Sequence, residues 1–111
     1  IQAANHHGAI AVPCHPGRPK VGMFAHTEAR GIPKGVQIVE VYNGGSRDDE
    51  DQIALNGAAE QGYLGIGGSD SHIVSHVGRC ATQFQHPIAT IDDLVAALKA
   101  GDFEAITLKT R

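Results

Sequence analysis

The feature that most constrains this chain is an alternation. Short, unbroken apolar runs are each followed by a loop rich in glycine and polar side chains. Residues 9–14 (Ala-Ile-Ala-Val-Pro-Cys) form the first run, with Pro13 near its end. Residues 36–42 form the second, rich in β-branched side chains, and residues 63–67 and 103–108 the third and fourth. Runs of this length bounded by turn residues read as strands covered on both faces. Between them lie helical patterns. Residues 48–61 open on a cluster of acids and close before Gly62; residues 90–100 offer Thr90 or Asp92 as N-cap, an apolar Leu94, Val95, Leu98 stripe and Gly101 as terminator. Residues 22–30 make a weaker helix, and residues 1–7 read as the end of one closed by Gly8. Strands alternating with helices predict an α/β architecture with parallel strands.

Composition narrows the class further. At 111 residues the chain is one domain, and 41% hydrophobic content excludes disorder over most of its length. A net charge of −3 argues against a basic nucleic-acid patch, and no apolar run approaches the roughly 18 residues of a membrane span. Two cysteines, Cys14 and Cys80, are too few for a disulfide scaffold and fit a reducing, cytoplasmic setting. The chain opens without an initiator Met, a signal peptide or a helix N-cap, so further sequence is expected upstream of Ile1.

In parallel βα architectures, chemistry collects where strands end. The first strand ends at Cys14-His15-Pro16-Gly17-Arg18, the second at Tyr42-Asn43-Gly44-Gly45-Ser46-Arg47, and the third at Gly67-Gly68-Ser69-Asp70-Ser71-His72. In an extended segment Asp70 and His72 project to one side and reach one point together. A carboxylate oxygen beside an imidazole nitrogen suits Zn, Mn or Fe, and His15 is placed to add a second nitrogen. A lone Asp-x-His is more often a turn cap beside a solvated histidine; the strand-terminal His-Pro and the flanking glycines shift the balance toward a metal site.

Three segments in this order carry a resemblance: Ala11-Val12-Pro13-Cys14-His15-Pro16, then Val39-Glu40-Val41-Tyr42-Asn43-Gly44, then Gly68-Ser69-Asp70-Ser71-His72. Together they resemble the PHP (polymerase and histidinol phosphatase) family. The stretch from Val77 to Phe84 and the helix Leu94-Val95-Ala96-Ala97-Leu98 look like the C-terminal end of that family's domain. The resemblance implies that residues 1–111 are the C-terminal portion of a distorted (βα)7 barrel. It also implies two or three divalent metal ions (Zn, Mn or Fe) and hydrolysis of a phosphoester by a metal-activated water. His15, Asp70 and His72 would be metal ligands. The family's opening His-x-His has no counterpart here, which places the first half of the domain outside this sequence. The expected substrate is a phosphorylated small molecule or a nucleotide. A non-catalytic PHP-like metal-binding module is the alternative, and a plain α/β scaffold with incidental histidines the blandest one.

Other side chains take supporting roles. Arg18 and Arg47 can clamp phosphate oxygens with their planar forks, with Asn43 beside them as a further substrate contact. His76, four residues past His72, is the candidate proton donor. Glu40 sits in an apolar strand, either as an acceptor that orients a ligand histidine or in a salt bridge with Arg79. Cys14 should face away from His15 and toward the helices as a small buried hydrophobe.

Overall fold

The computed structural model describes residues 1–109. Its framework is the β–α–β unit that the alternation predicts. Strand β1 (Ile38–Asn43) leads into helix α3 (Asp48–Gln61) and then strand β2 (Leu64–Gly68), which pairs with β1 in parallel. Helix α3 forms where the acids cluster: Asp48, Asp49, Glu50 and Asp51 fill its first turn, where the unpaired N–H groups favour negative charge. It ends at Gly62 in the left-handed conformation. Its buried side chains, Asp51, Ala54 and Ala58, lie at i, i+3 and i+7 on one face. The two alanines let the helix settle closely on Val39 and Val41 of β1, and these four make the core cluster. Met23, Leu55, Tyr63 and Ala105 pack around it.

The second half is built differently. Strand β3 (Cys80–Phe84), helix α4 (Ile91–Ala100) and strand β4 (Phe103–Thr107) form a unit in which β3 and β4 pair antiparallel, from Cys80 opposite Thr107 to Phe84 opposite Phe103. This corrects the expectation of parallel strands throughout. The connector before α4 carries the chain away and α4 brings it back, so it re-enters beside the strand end it left. There Gln85 N–H donates to Asp102 O at 3.1 Å and the Phe84 and Phe103 rings lie 6.2 Å apart. Thr90 caps α4 as expected, accepting from Asp93 N–H at 3.1 Å. The two pairs meet through Thr82, whose hydroxyl accepts from Gly67 N–H at 3.0 Å and donates to Gly67 O at 2.7 Å.

Residues 9–14 are not a strand. Their tie to β1 is one bond, Glu40 N–H to Pro13 O at 3.1 Å, and Pro13 has no N–H with which to return it. The segment 22–30 breaks into a 3-10 turn, Met23–Ala25, and a short helix α2 (Thr27–Arg30). Helix α1 (Gln2–His6) opens the chain. Among the described residues, no helix is long and apolar enough to cross a membrane.

Candidate functional site

Three loops converge at the carboxyl ends of β1 and β2. The loop 14–18 is wedged against α3: a Cβ on Gly17 would sit 2.0 Å from Glu50 O, so only glycine lets the chain pass. Arg18 N–H donates to His15 O at 3.0 Å and closes the turn. The loops after β1 and β2 are joined by Gly44 N–H donating to Gly68 O at 2.9 Å, and a Cβ on Gly44 would lie 2.4 Å from Ser69 O. Ser69 Oγ steadies the third loop, donating to Cys80 O at 3.2 Å and accepting from Gly78 N–H at 2.7 Å.

One hydrogen-bonded chain of polar groups crosses all three loops. His15 N–H donates to Glu40 Oε1 at 2.8 Å, and Asn43 Nδ2 donates to the same oxygen at 2.6 Å. Asn43 Oδ1 accepts from Arg18 Nη2 at 3.2 Å and from Gly45 N–H at 2.8 Å. Arg18 Nη2 donates also to Ser46 Oγ at 2.8 Å and reaches Asp70 Oδ2 at 3.4 Å. His72 completes the series, its Nδ1 lying 3.0 Å from Asp70 O. The network therefore joins the side chains of Asn43, Arg18 and Asp70; of the seven residues singled out in the sequence, His15 enters it only through its backbone N–H and His72 only through the Asp70 carbonyl.

The other two stand apart from it. Arg47 turns outward and pairs with Asp49 through Nε at 3.1 Å and Nη2 at 2.8 Å. The hydrogen bond and charge of Asp49 raise the Arg47 pKa, and the reciprocal hydrogen bond lowers that of Asp49. His76 ends the 3-10 turn Val74–His76, and its ring makes no hydrogen bond among the described residues.

Two expectations change here. Glu40 does not pair with Arg79; its carboxylate holds the His15 backbone and the Asn43 amide instead. Cys14 is exposed, not buried among helices, and its Sγ lies 3.5 Å from His15 Nε2. The bend at 14–15 removes the strand alternation that would have sent the two side chains apart.

His15 and Asp70 are two of the three non-glycine residues with positive φ among the described residues, at +32° and +48°. Such conformations cost about 1–3 kcal/mol each and collect at binding and catalytic sites. His15 Nδ1 is buried with no hydrogen-bond partner, so a ring nitrogen with lone-pair or N–H capacity is left unused inside the protein. No group of three His, Cys, Asp or Glu side chains among the described residues is arranged to hold a metal ion.

Sequence reasoning missed three residues of this region: Ser46, Asp51 and Lys109. Ser46 is a second anchor of Arg18. Asp51 accepts from Asn43 N–H at 3.2 Å and forms a buried ion pair with Lys109. Asp51 could have been found as the acid on the apolar stripe of α3; Lys109, beyond β4, carries no local signal.

Among known protein families, the model described as PHP-associated matches residues 50–103, from the first turn of α3 to the start of β4. The match takes in Asp70, His72 and His76 and stops short of His15, Arg18 and Asn43. No curated protein and no solved structure matches the chain.

Proposed function

We propose that this chain, which carries a C-terminal PHP region over residues 50–103, belongs to a metal-dependent phosphoesterase and contributes part of its active site. The observation that carries the reading is the polar chain from His15 to Asp70. It links the backbone of His15, whose ring carries an unpartnered buried nitrogen, to the Arg18 guanidinium and the Asp70 carboxylate across three separate loops. The same reading makes the β1–α3–β2 unit part of a distorted (βα)7 barrel whose remaining strands and metal ligands lie outside these residues.

The donor types suit divalent zinc, manganese or iron: the orphaned His15 ring, the Asp70 carboxylate and His72. They make an incomplete shell, since no three such groups are assembled among the described residues. When bound, divalent ions in a site of this kind supply charge neutralisation at phosphoryl oxygens and a water of low pKa.

The chain's own residues do the rest. Arg18 is held through Nη2, which leaves Nε and Nη1 to donate single charge-assisted hydrogen bonds to phosphoryl oxygens, because the two diverge on either side of Cδ and every two-point edge of the guanidinium includes Nη2. Asn43, 2% exposed and hydrogen-bonded through both ends of its amide, serves the substrate by aiming Arg18. His76, half-buried on the loop after Asp70 and His72, protonates the leaving oxygen. Arg47 is a secondary phosphate contact, reached when substrate competes it away from Asp49.

The test is turnover of a chromogenic phosphomonoester and phosphodiester by the full-length protein with added Mn²⁺. Metal-dependent release, abolished by a chelator, is expected. A folded, metal-loaded protein that turns over neither ester would overturn the catalytic reading and leave a non-catalytic metal-binding module.

A further inference from the structure

A buried ion pair lies directly under the loop that anchors Arg18, and no step above uses it. Lys109 and Asp51 pair with side chains only 6% and 9% exposed. Lys109 Nζ also donates to Asn43 O at 2.9 Å and to Ser46 O at 3.1 Å. All three ammonium donors are therefore directed, one to a carboxylate and two to backbone carbonyls. Asp51 is as fully used, since its other oxygen accepts from Asn43 N–H at 3.2 Å. Two of the three residues in contact with Arg18 Nη2, Asn43 and Ser46, are thus gripped from below by the pair. Core packing alone does not call for this arrangement, because an ion pair of this burial is often no more stabilising than apolar side chains of the same volume. What apolar side chains cannot do is fix two carbonyls and an amide in one loop.

We propose that Lys109 and Asp51 are positioning residues. They lock the loop 43–46 so that the Arg18 guanidinium stands beside Asp70, pre-organised for a phosphoryl oxyanion. The ligand class rests on the phosphoesterase reading; the positioning itself does not. Pre-organisation matters because each rotamer of an unanchored arginine outside the binding geometry reduces apparent affinity.

The experiment uses the full chain with two substitutions together, Asp51→Asn and Lys109→Met. This variant leaves no unpaired buried charge and keeps an acceptor for Asn43 N–H, while the bonds to Asn43 O and Ser46 O are lost. The first readout is NMR of the Arg18 guanidinium. In the parent, restrained rotation should give separate Nη proton signals; in the folded double variant these should merge. Separate signals that survive unchanged would overturn the proposal. If the double variant does not fold, Lys109→Arg takes its place. It keeps the charge but not the three-way ammonium geometry, and the same merging is expected, with unchanged signals again overturning the proposal.

The second readout is orthophosphate affinity, measured with and without Arg18→Ala. The double variant should bind about tenfold more weakly with Arg18 present and no more weakly once Arg18 is absent, since the pair acts only through that residue. Equal losses in both backgrounds would indicate a merely structural role and overturn the proposal. If the Nη signals merge but Arg18→Ala leaves orthophosphate affinity unchanged, the positioning stands and the phosphate reading of Arg18 falls.

Discussion

Two carboxylates in the first turn of α3, Asp49 and Asp51, stand two residues apart and face opposite worlds. Asp49 points to solvent and pairs with Arg47, the two side chains being 63% and 76% exposed. Asp51 points inward and pairs with Lys109 at 9% and 6%. The helix turn sends one to each side, and the surroundings decide what each pair is worth. In water the attraction is screened, and holding two long side chains together costs rotamer entropy. In the interior neither charge can be left alone, so the pair binds together whatever it touches. The lesson extends to the arginines: Arg47 spends its fork on the exposed carboxylate, whereas Arg18 has one nitrogen fixed by the loop that the buried pair holds.

The sharpest way to break this comparison is to remove one inner partner. Lys109→Met leaves Asp51 buried and uncompensated, and should cost about 3–5 kcal/mol in denaturant unfolding. A loss below about 1 kcal/mol would mean that Asp51 reaches water and that the two regions do not differ as described.

A smaller structural effect, paired with a large functional one, is expected at Arg18. Its contacts with Asn43, Ser46 and Asp70 are partly exposed, so Arg18→Ala should lower stability by no more than about 1 kcal/mol. Loss of a charge-assisted contact worth roughly 1.5–3 kcal/mol should nevertheless reduce kcat/KM about ten- to a hundredfold. Lys in its place should recover only part of that, because a point charge cannot both hold the loop contacts and direct further donors at phosphate as the planar guanidinium does. Turnover within twofold of the parent would make Arg18 an ordinary loop residue.

The smallest effect belongs to the outer pair. Arg47→Ala should lower the unfolding midpoint at neutral pH only slightly, and only at low salt. Because Arg47 lowers the pKa of Asp49, any stabilisation is present above the ordinary carboxylate range and is lost as pH falls through the depressed value. The parent and variant should therefore converge in strong acid at low salt, and coincide at all pH values in high salt, where the pair is screened. A salt-insensitive difference would show that Arg47 is held by more than Asp49.

The sequence made much of this legible. Helix α3 is where its acids and Gly62 place it, because capping and charge preference act locally. Strand β1 is displaced by two residues at its start, from 36 to Ile38. The loops that carry His15, Asn43 and Asp70 do converge, since strand ends and glycines mark them. Three things escaped for one reason, that they depend on partners distant in sequence. Residues 9–14 have strand composition, but a strand needs a neighbour that trades hydrogen bonds, and Pro13 cannot. Strand β3 pairs antiparallel because of where α4 returns the chain, which no local pattern states. Lys109 carries no local signal, and only the fold brings it beneath Asn43 and Ser46.

The central claim is that His15 and Asp70, linked through Glu40, Asn43 and Arg18, belong to one metal-binding phosphoesterase site. Metal content per molecule in the purified full-length protein tests it most directly, comparing the parent with Asp70→Ala and His15→Ala. Both variants should stay folded and lose metal. Full stoichiometric metal in both would contradict the account.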